Sequence, residues 1–180
     1  MNDNNDIEGI FLTVRDLQVN YNGTLIPLDE YLKKLDNFKK KVILNIVPIS
    51  NTSKDIISIQ RENRSYVNDI KEITDKYSNL NFWYTSTNTR ILYFLEEFFK
   101  SRCCGYYLSN DLNYVDTCFY IFPLDKYNKE IITQELERDK YIYFIVNNSA
   151  DLNTLQKLLE KDFIEWMNSL TIITCNFKTM

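Results

Sequence analysis

The 180-residue sequence contains no histidine. Histidine is the side chain whose ordinary pKa lies near neutrality, and it is the commonest metal ligand, so its absence removes the usual proton shuttle and every His-based zinc site. Glycine is nearly as scarce, with three in the whole chain, which leaves no GxxxxGK[ST] or GxGxxG phosphate loop. Prolines also number three. Charge of one sign is lacking too: 25 acidic and 21 basic side chains leave a net charge of −4, and the longest run of like charge is the lysines at 39–41. That balance carries no electrostatic footprint for nucleic acid. No apolar run approaches the ~20 residues of a membrane span, and the polar, acidic start MNDNNDIEG has neither part of a signal peptide. The expectation is a cytoplasmic, soluble protein with no transmembrane segment.

Four cysteines, Cys103, Cys104, Cys118 and Cys175, fit neither a paired CxxC knuckle nor a dense disulfide framework. They read as small buried hydrophobes on or near strands. Asn, Lys, Ile and Tyr are abundant instead, a bias expected of an AT-rich coding genome. With 44% hydrophobic residues in periodic positions, the chain reads as one α/β domain over 7–180, preceded by a flexible N-terminus over 1–6.

Ile7 to Leu17 reads as a strand with Ile10, Leu12 and Val14 on one face, and Asn22-Gly23 is a turn signal shortly after it. IPLDEYLKKL (26–35) spaces Leu28, Tyr31, Leu32 and Leu35 as a helix does. KKVILNIVPI (40–49) is a short apolar run typical of a parallel strand buried on both faces, and a helix with Ser53 as N-cap follows over 53–77. Strands are then predicted at 80–87, 103–109, 115–122, 141–148 and 170–177. Helices are predicted at 89–101, 128–140 and 150–167, the last capped by Ser149 or Asp151. About seven strands, mostly separated by helices, predict a mostly parallel α/β sheet with right-handed crossovers, closed as an incomplete or distorted barrel or else left open. Aromatics alternate along several strands, so some rings must face covering helices rather than an interior.

Three stretches favour the barrel. IPLDEYLKKL followed by KKVILNIVP resembles the segment of glycerophosphodiester phosphodiesterases in which an Ile-Pro-Thr-Leu-Glu-Glu-Val-Leu helix start leads into a strand ending in Glu-Ile-Lys. One residue is missing here between Pro27 and Leu28. YIYFIVNN, Tyr141 to Asn148, is similar to that family's penultimate strand, and LTIITCNF looks like its final Gly-Ile-Ile-Thr-Asp strand. The resemblance runs from Ile7 to Phe177 and implies a phosphodiesterase-like TIM barrel.

The same resemblance implies a lost active site. Active members carry a His-Arg pair on a first strand, a Glu-x-Asp metal pair on the second and the Glu of Glu-Ile-Lys on the third. This chain starts near the second strand; the metal pair falls on Phe11 and Thr13, or on Thr13 and Arg15, and Glu-Ile-Lys becomes Asn45-Ile46-Val47. A hard cation needs several oxygen ligands, carboxylates among them. The expectation is therefore a pseudoenzyme with no catalytic residue, metal or cofactor, serving as a protein- or ligand-binding module. A missing first strand would leave sheet edges that favour a protein partner or homodimer. One alternative is a divergent metal-dependent phosphodiesterase using Asp6, Glu8 or Asp16; another is an open α/β interaction protein from a virus or mobile element.

Because parallel barrels place their sites at the C-terminal ends of strands, the candidate ligand-binding residues are Thr13, Arg15, Asn45, Thr85, Ser86, Asn147, Asn148 and Thr174. These polar, mostly uncharged groups suit a neutral or phosphorylated small ligand, or simply cap the helices that follow. The acids Asp125, Glu130, Glu96 and Glu97 fall on helix starts and polar faces, where carboxylates are ordinary. Cys103-Cys104 after Arg102 lies on an expected strand, not in the setting of an activated thiolate.

Overall fold

The alternation of short β-branched runs with amphipathic segments produces five α-helices and ten strands in the computed structural model, which describes residues 7–35, 37–49, 55–108, 111–112 and 119–175. In chain order these are β1 (Ile7–Val14), β2 (Gln18–Tyr21), β3 (Thr24–Pro27), α1 (Leu28–Lys34), β4 (Lys41–Ile46), α2 (Ile56–Thr74), β5 (Asn81–Thr85) and α3 (Thr89–Phe99). They continue as β6 (Gly105–Leu108), β7 (Asp111–Leu112), β8 (Phe119–Pro123), α4 (Lys129–Glu137), β9 (Tyr141–Val146), α5 (Ser149–Asp162) and β10 (Leu170–Thr174). The expected seven strands correspond to β1, β4, β5, β6, β8, β9 and β10.

The sheet runs β5-β4-β1-β10-β9-β8-β6-β7, and a parallel bridge between Tyr84 and Cys103 ties β5 to the residues that lead into β6. Seven parallel strands thus form a nearly closed ring with helices, an incomplete α/β barrel of the TIM type. The open edge expected beside β1 is not there. β1 pairs directly with β10, through Ile7–Ile172, Gly9–Ile173 and Ile10–Thr174, with one irregularity in register.

The described residues divide into two compact units, Leu12–Cys103 and a discontinuous one that joins the start of the chain to Cys104 onward. In the Leu12–Cys103 unit, β4 and β5 lie in register, Val42 opposite Phe82 and Leu44 opposite Tyr84. Because side chains alternate along a strand, Val42, Leu44, Phe82 and Tyr84 share one face. Helices α2 and α3 cover that face: the Tyr84 hydroxyl donates to Thr74 Oγ1 on α2 at 2.9 Å, and its ring stacks on Phe99 of α3 at 3.5 Å. Tyr66, Val67 and Ile70 of α2 and Ile91 and Leu95 of α3 are buried there. In the other unit, Ile142, Phe144 and Val146 of β9 join Leu170 and Ile172 of β10 against Leu152, Leu155 and Leu159 of α5. Burial of each such side chain contributes about 1.5–3 kcal/mol.

Asparagine serves the helix starts. Asn88 accepts from the backbone N–H of Arg90 and Ile91, Asn128 from Glu130 and Ile131, and Asn148 from Asp151. Asp55 caps α2 by accepting from Ser58 N–H at 2.8 Å. The caps of α2 and α5 are therefore Asp55 and Asn148, not Ser53, Ser149 or Asp151; Ser53 lies outside the described residues. Asn and Asp satisfy an orphan helix N–H as well as Ser does, so sequence alone leaves such neighbours degenerate.

One element was not anticipated. β2 and β3 form an antiparallel hairpin with Tyr21 opposite Thr24. The Asn22-Gly23 turn falls between them with both residues at positive φ, 53° and 87°, the geometry that favours Asn-Gly. Of the residues in these two strands only Val19 is buried, so the pair lacks the alternating apolar face that announces a strand. Among the described residues, no helix is long and apolar enough to cross a membrane.

Candidate functional site

At the C-terminal end of the β4–β5 pair, Asn45 stands opposite Thr85. Strand alternation puts both on the face turned away from α2 and α3, the inner face of the sheet. Asn45 Nδ2 donates to Thr13 Oγ1 near the end of β1 at 3.3 Å. Asn45 is 8% exposed and Thr85 is fully buried, yet the Asn45 carbonyl oxygen and the Thr85 hydroxyl have no hydrogen-bond partner. Leaving a buried polar atom unsatisfied costs about 1–3 kcal/mol, so two adjacent ones on one inner face are unusual.

The remaining candidate residues have other surroundings. Ser86 Oγ donates to the carbonyl of Ile46 at 2.6 Å and accepts from Asn88 N–H at 3.0 Å, so its hydrogen-bonding capacity locks the β5–α3 junction. Asn148 caps α5, and Asn147 before it is exposed. Arg15 is an exposed residue of the turn into β2, where its backbone exchanges two hydrogen bonds with Gln18. Thr174 lies opposite Val146, on the parity of Leu170 and Ile172, so its face is the one covered by α5. Its buried hydroxyl is also unpartnered, but among helix-facing aliphatics rather than at the sheet interior. Thr13, Asn45 and Thr85 are thus the candidates that come together.

The family resemblance implies a divalent metal at these strand ends, and the side chains present do not fit one. Phe11, on the parity of Thr13, is buried edge-on against Tyr106 with ring centroids 5.8 Å apart. Thr13 and Asn45 supply a hydroxyl and an amide where a hard cation calls for carboxylates. Glu8 sits near the other end of β1, about 20 Å from Val14 at the ~3.3 Å rise of a strand, and Asp16 occupies an exposed turn. Among the described residues, no three His, Cys, Asp or Glu side chains are grouped so as to hold a metal ion.

The cysteines are equally unsuited to attack. Burial pushes the Cys103 thiol up to about 12, with Glu96 adding to the effect, and burial also raises Cys175 to about 12. A thiolate nucleophile needs the opposite shift. Cys118 lies outside the described residues.

Sequence reasoning passed over one further group. The ring of Trp83 carries the Lys41 ammonium 5.7 Å from its centroid and the Arg102 guanidinium at 5.2 Å, while Arg102 also donates to Asn81 Oδ1 at 2.7 Å. The pairing of Lys41 with Asn81 in register was the available signal, since it sets Lys41 beside β5.

The class defined by this arrangement is an incomplete parallel α/β barrel with uncharged polar groups at the ends of β1, β4 and β5. Its fold is similar to the crystal structure of a "putative glycerophosphodiester phosphodiesterase from Galdieria sulphuraria", with a TM-score of 0.52 and 13% sequence identity over 90% of this chain. The match spans 64% of that protein, less than two thirds of its length. No family model and no curated protein matches this sequence.

Proposed function

We propose that this chain is a non-catalytic relative of the glycerophosphodiester phosphodiesterases that acts as a binding module. Its ligand is a small neutral or phosphorylated molecule held at the ends of β1, β4 and β5. The observation that carries this reading is the pair of buried, unpartnered polar atoms on Asn45 and Thr85, beside Thr13. A ligand hydroxyl would donate to the Asn45 carbonyl oxygen, and a ligand hydroxyl or phosphate oxygen would accept from the Thr85 hydroxyl, satisfying groups that otherwise cost stability. The lack of carboxylates at the same strand ends supports binding without metal-assisted hydrolysis. Association with a protein partner or a second copy belongs to the same proposal, since a fold kept without its chemistry retains only its surfaces for function.

The test has two arms. Glycerol 3-phosphate and glycerophosphocholine are titrated calorimetrically against the wild-type chain and Thr85→Val, with binding expected only to the former. In parallel, hydrolysis of glycerophosphocholine and of an aryl phosphodiester is assayed with Ca²⁺ or Mg²⁺. Turnover abolished both by a chelator and by Glu8→Gln would overturn the non-catalytic reading and establish a divergent phosphodiesterase.

A further inference from the structure

On the helix-covered side of β5 lies a cavity of about 420 Å³, within the size range of small-molecule sites. It is built entirely from the Leu12–Cys103 unit, between the end of α2, the end of α3 and the first residues of β5. Phe82, Tyr84 and Phe99 give it aromatic walls, with Phe99 stacked only 8° from parallel on the buried Tyr84. Three cations, Lys71, Lys100 and Arg102, line it against one carboxylate, Asp75. Lys71 is paired to that carboxylate at 2.9 Å, and the Arg102 guanidinium turns to Asn81 and Trp83, which alternate with Phe82 and Tyr84 along β5, so the cation left to the cavity is Lys100.

Lys100 is held in place. Lys100 has φ 37° and ψ −102°, a left-handed conformation that costs a non-glycine residue about 1–3 kcal/mol. It is pinned on both sides, its N–H donating to Glu96 and its carbonyl accepting from Cys103 N–H at 3.1 Å. Strain of this kind persists where surrounding structure over-determines it, and such positions cluster at ligand clamps.

We propose that this cavity binds a planar aromatic anion, its ring lying against Phe99 and its charged group held by Lys100. The site is separate from the strand ends, because Tyr84 and Thr85 are consecutive residues and point to opposite faces of the sheet.

The experiment titrates 1-naphthyl phosphate, with neutral 1-naphthol as its control, into the full chain by calorimetry. Saturable one-to-one binding of the phosphate is expected, with 1-naphthol weaker by about tenfold or more, as for loss of a charge-assisted contact. Lys100→Gly removes the charge and relieves the positive φ, so it should weaken binding by about tenfold without lowering the melting temperature. Thr174→Val should leave it unchanged. The proposal falls if no saturable binding occurs, if 1-naphthol binds as well as the phosphate, or if Thr85→Val abolishes binding while Lys100→Gly does not.

Discussion

The Tyr66 hydroxyl donates to the carbonyl of Val14 at 3.1 Å, so a residue in the middle of α2 fixes the last residue of β1. The same oxygen accepts from Leu17 N–H at 3.4 Å, on the far side of a turn in which Asp16 and Leu17 both have positive φ, 51° and 59°. One buried phenol thereby holds a two-residue turn in a conformation that costs L-residues roughly 1–2 kcal/mol each. Tyr66→Phe should lower stability by about 1 kcal/mol: the Val14 carbonyl keeps the Val47 N–H at 3.0 Å, but the Leu17 N–H loses its acceptor. Leu17→Gly should act in the opposite direction by about 1 kcal/mol. Urea denaturation of the two single variants and the double variant checks both signs, and coupling between them is expected since they share a hydrogen bond.

Thr85 and Thr174 each bury an unpartnered hydroxyl, on opposite faces of the sheet. Replacing either with valine keeps the shape and removes an unsatisfied group, so both variants should gain about 1 kcal/mol. Thr85→Val should lose the ligand of the strand ends, and Thr174→Val should keep it. Paired melting curves and titrations separate the two positions, and equal loss of binding would place the ligand elsewhere.

Thr13→Val removes the acceptor that Asn45 Nδ2 uses. The amide is then left with neither end satisfied by the protein, at an expected cost of about 1–2 kcal/mol. Asn45→Leu exchanges the whole amide for an apolar side chain of similar size and should be close to neutral. Chemical denaturation of the two variants gives the comparison.

Stability should fall on the alkaline side. Burial raises Cys103 from an ordinary 9.0 to about 12, and raises Tyr66, Tyr84 and Tyr106 from 10.0 to about 12. A group whose folded pKa exceeds its unfolded one stabilises fully below the unfolded value and loses that contribution as pH rises towards the folded value. Loss should therefore begin near pH 9 with Cys103 and Cys175 and steepen above pH 10 as the tyrosines join. On the acid side, hydrogen bonds from Tyr77 and Lys76 hold Asp29 below 3.8, a contribution present above that pH and lost as pH falls. Melting temperature measured across this range checks both limbs, and Cys103→Ala should delay the first part of the alkaline loss.

What the sequence disclosed follows from burial. Ile10, Leu12 and Val14 alternate because their face of β1 is packed, and KVILNI is mostly apolar because β4 is covered on both sides, so both strands were readable. The β2–β3 hairpin was not, having almost no packed face to impose a period. Thr174 looked equivalent to Thr85, since each ends a strand; only the parity of Leu170 and Ile172 against α5 distinguishes them. The cavity beside Tyr84 was hidden for a different reason. Lys71 lies in the last turn of α2 while Lys100 and Arg102 share the short turn after α3, and nothing in their spacing predicts that α2 and α3 end side by side.

The direct pairing of Ile7 with Ile172 imposes an order of assembly. The unit spanning Leu12–Cys103 is continuous in sequence and can close its own core as soon as that stretch has been synthesised. The first half of β1 belongs to the other unit, and one of its neighbours is the last described strand. Until residue 172 leaves the ribosome, that segment presents an unpaired backbone edge, the most aggregation-prone feature a growing sheet can have. Closing so long a loop is also slow, so β10 docking should set the overall folding rate.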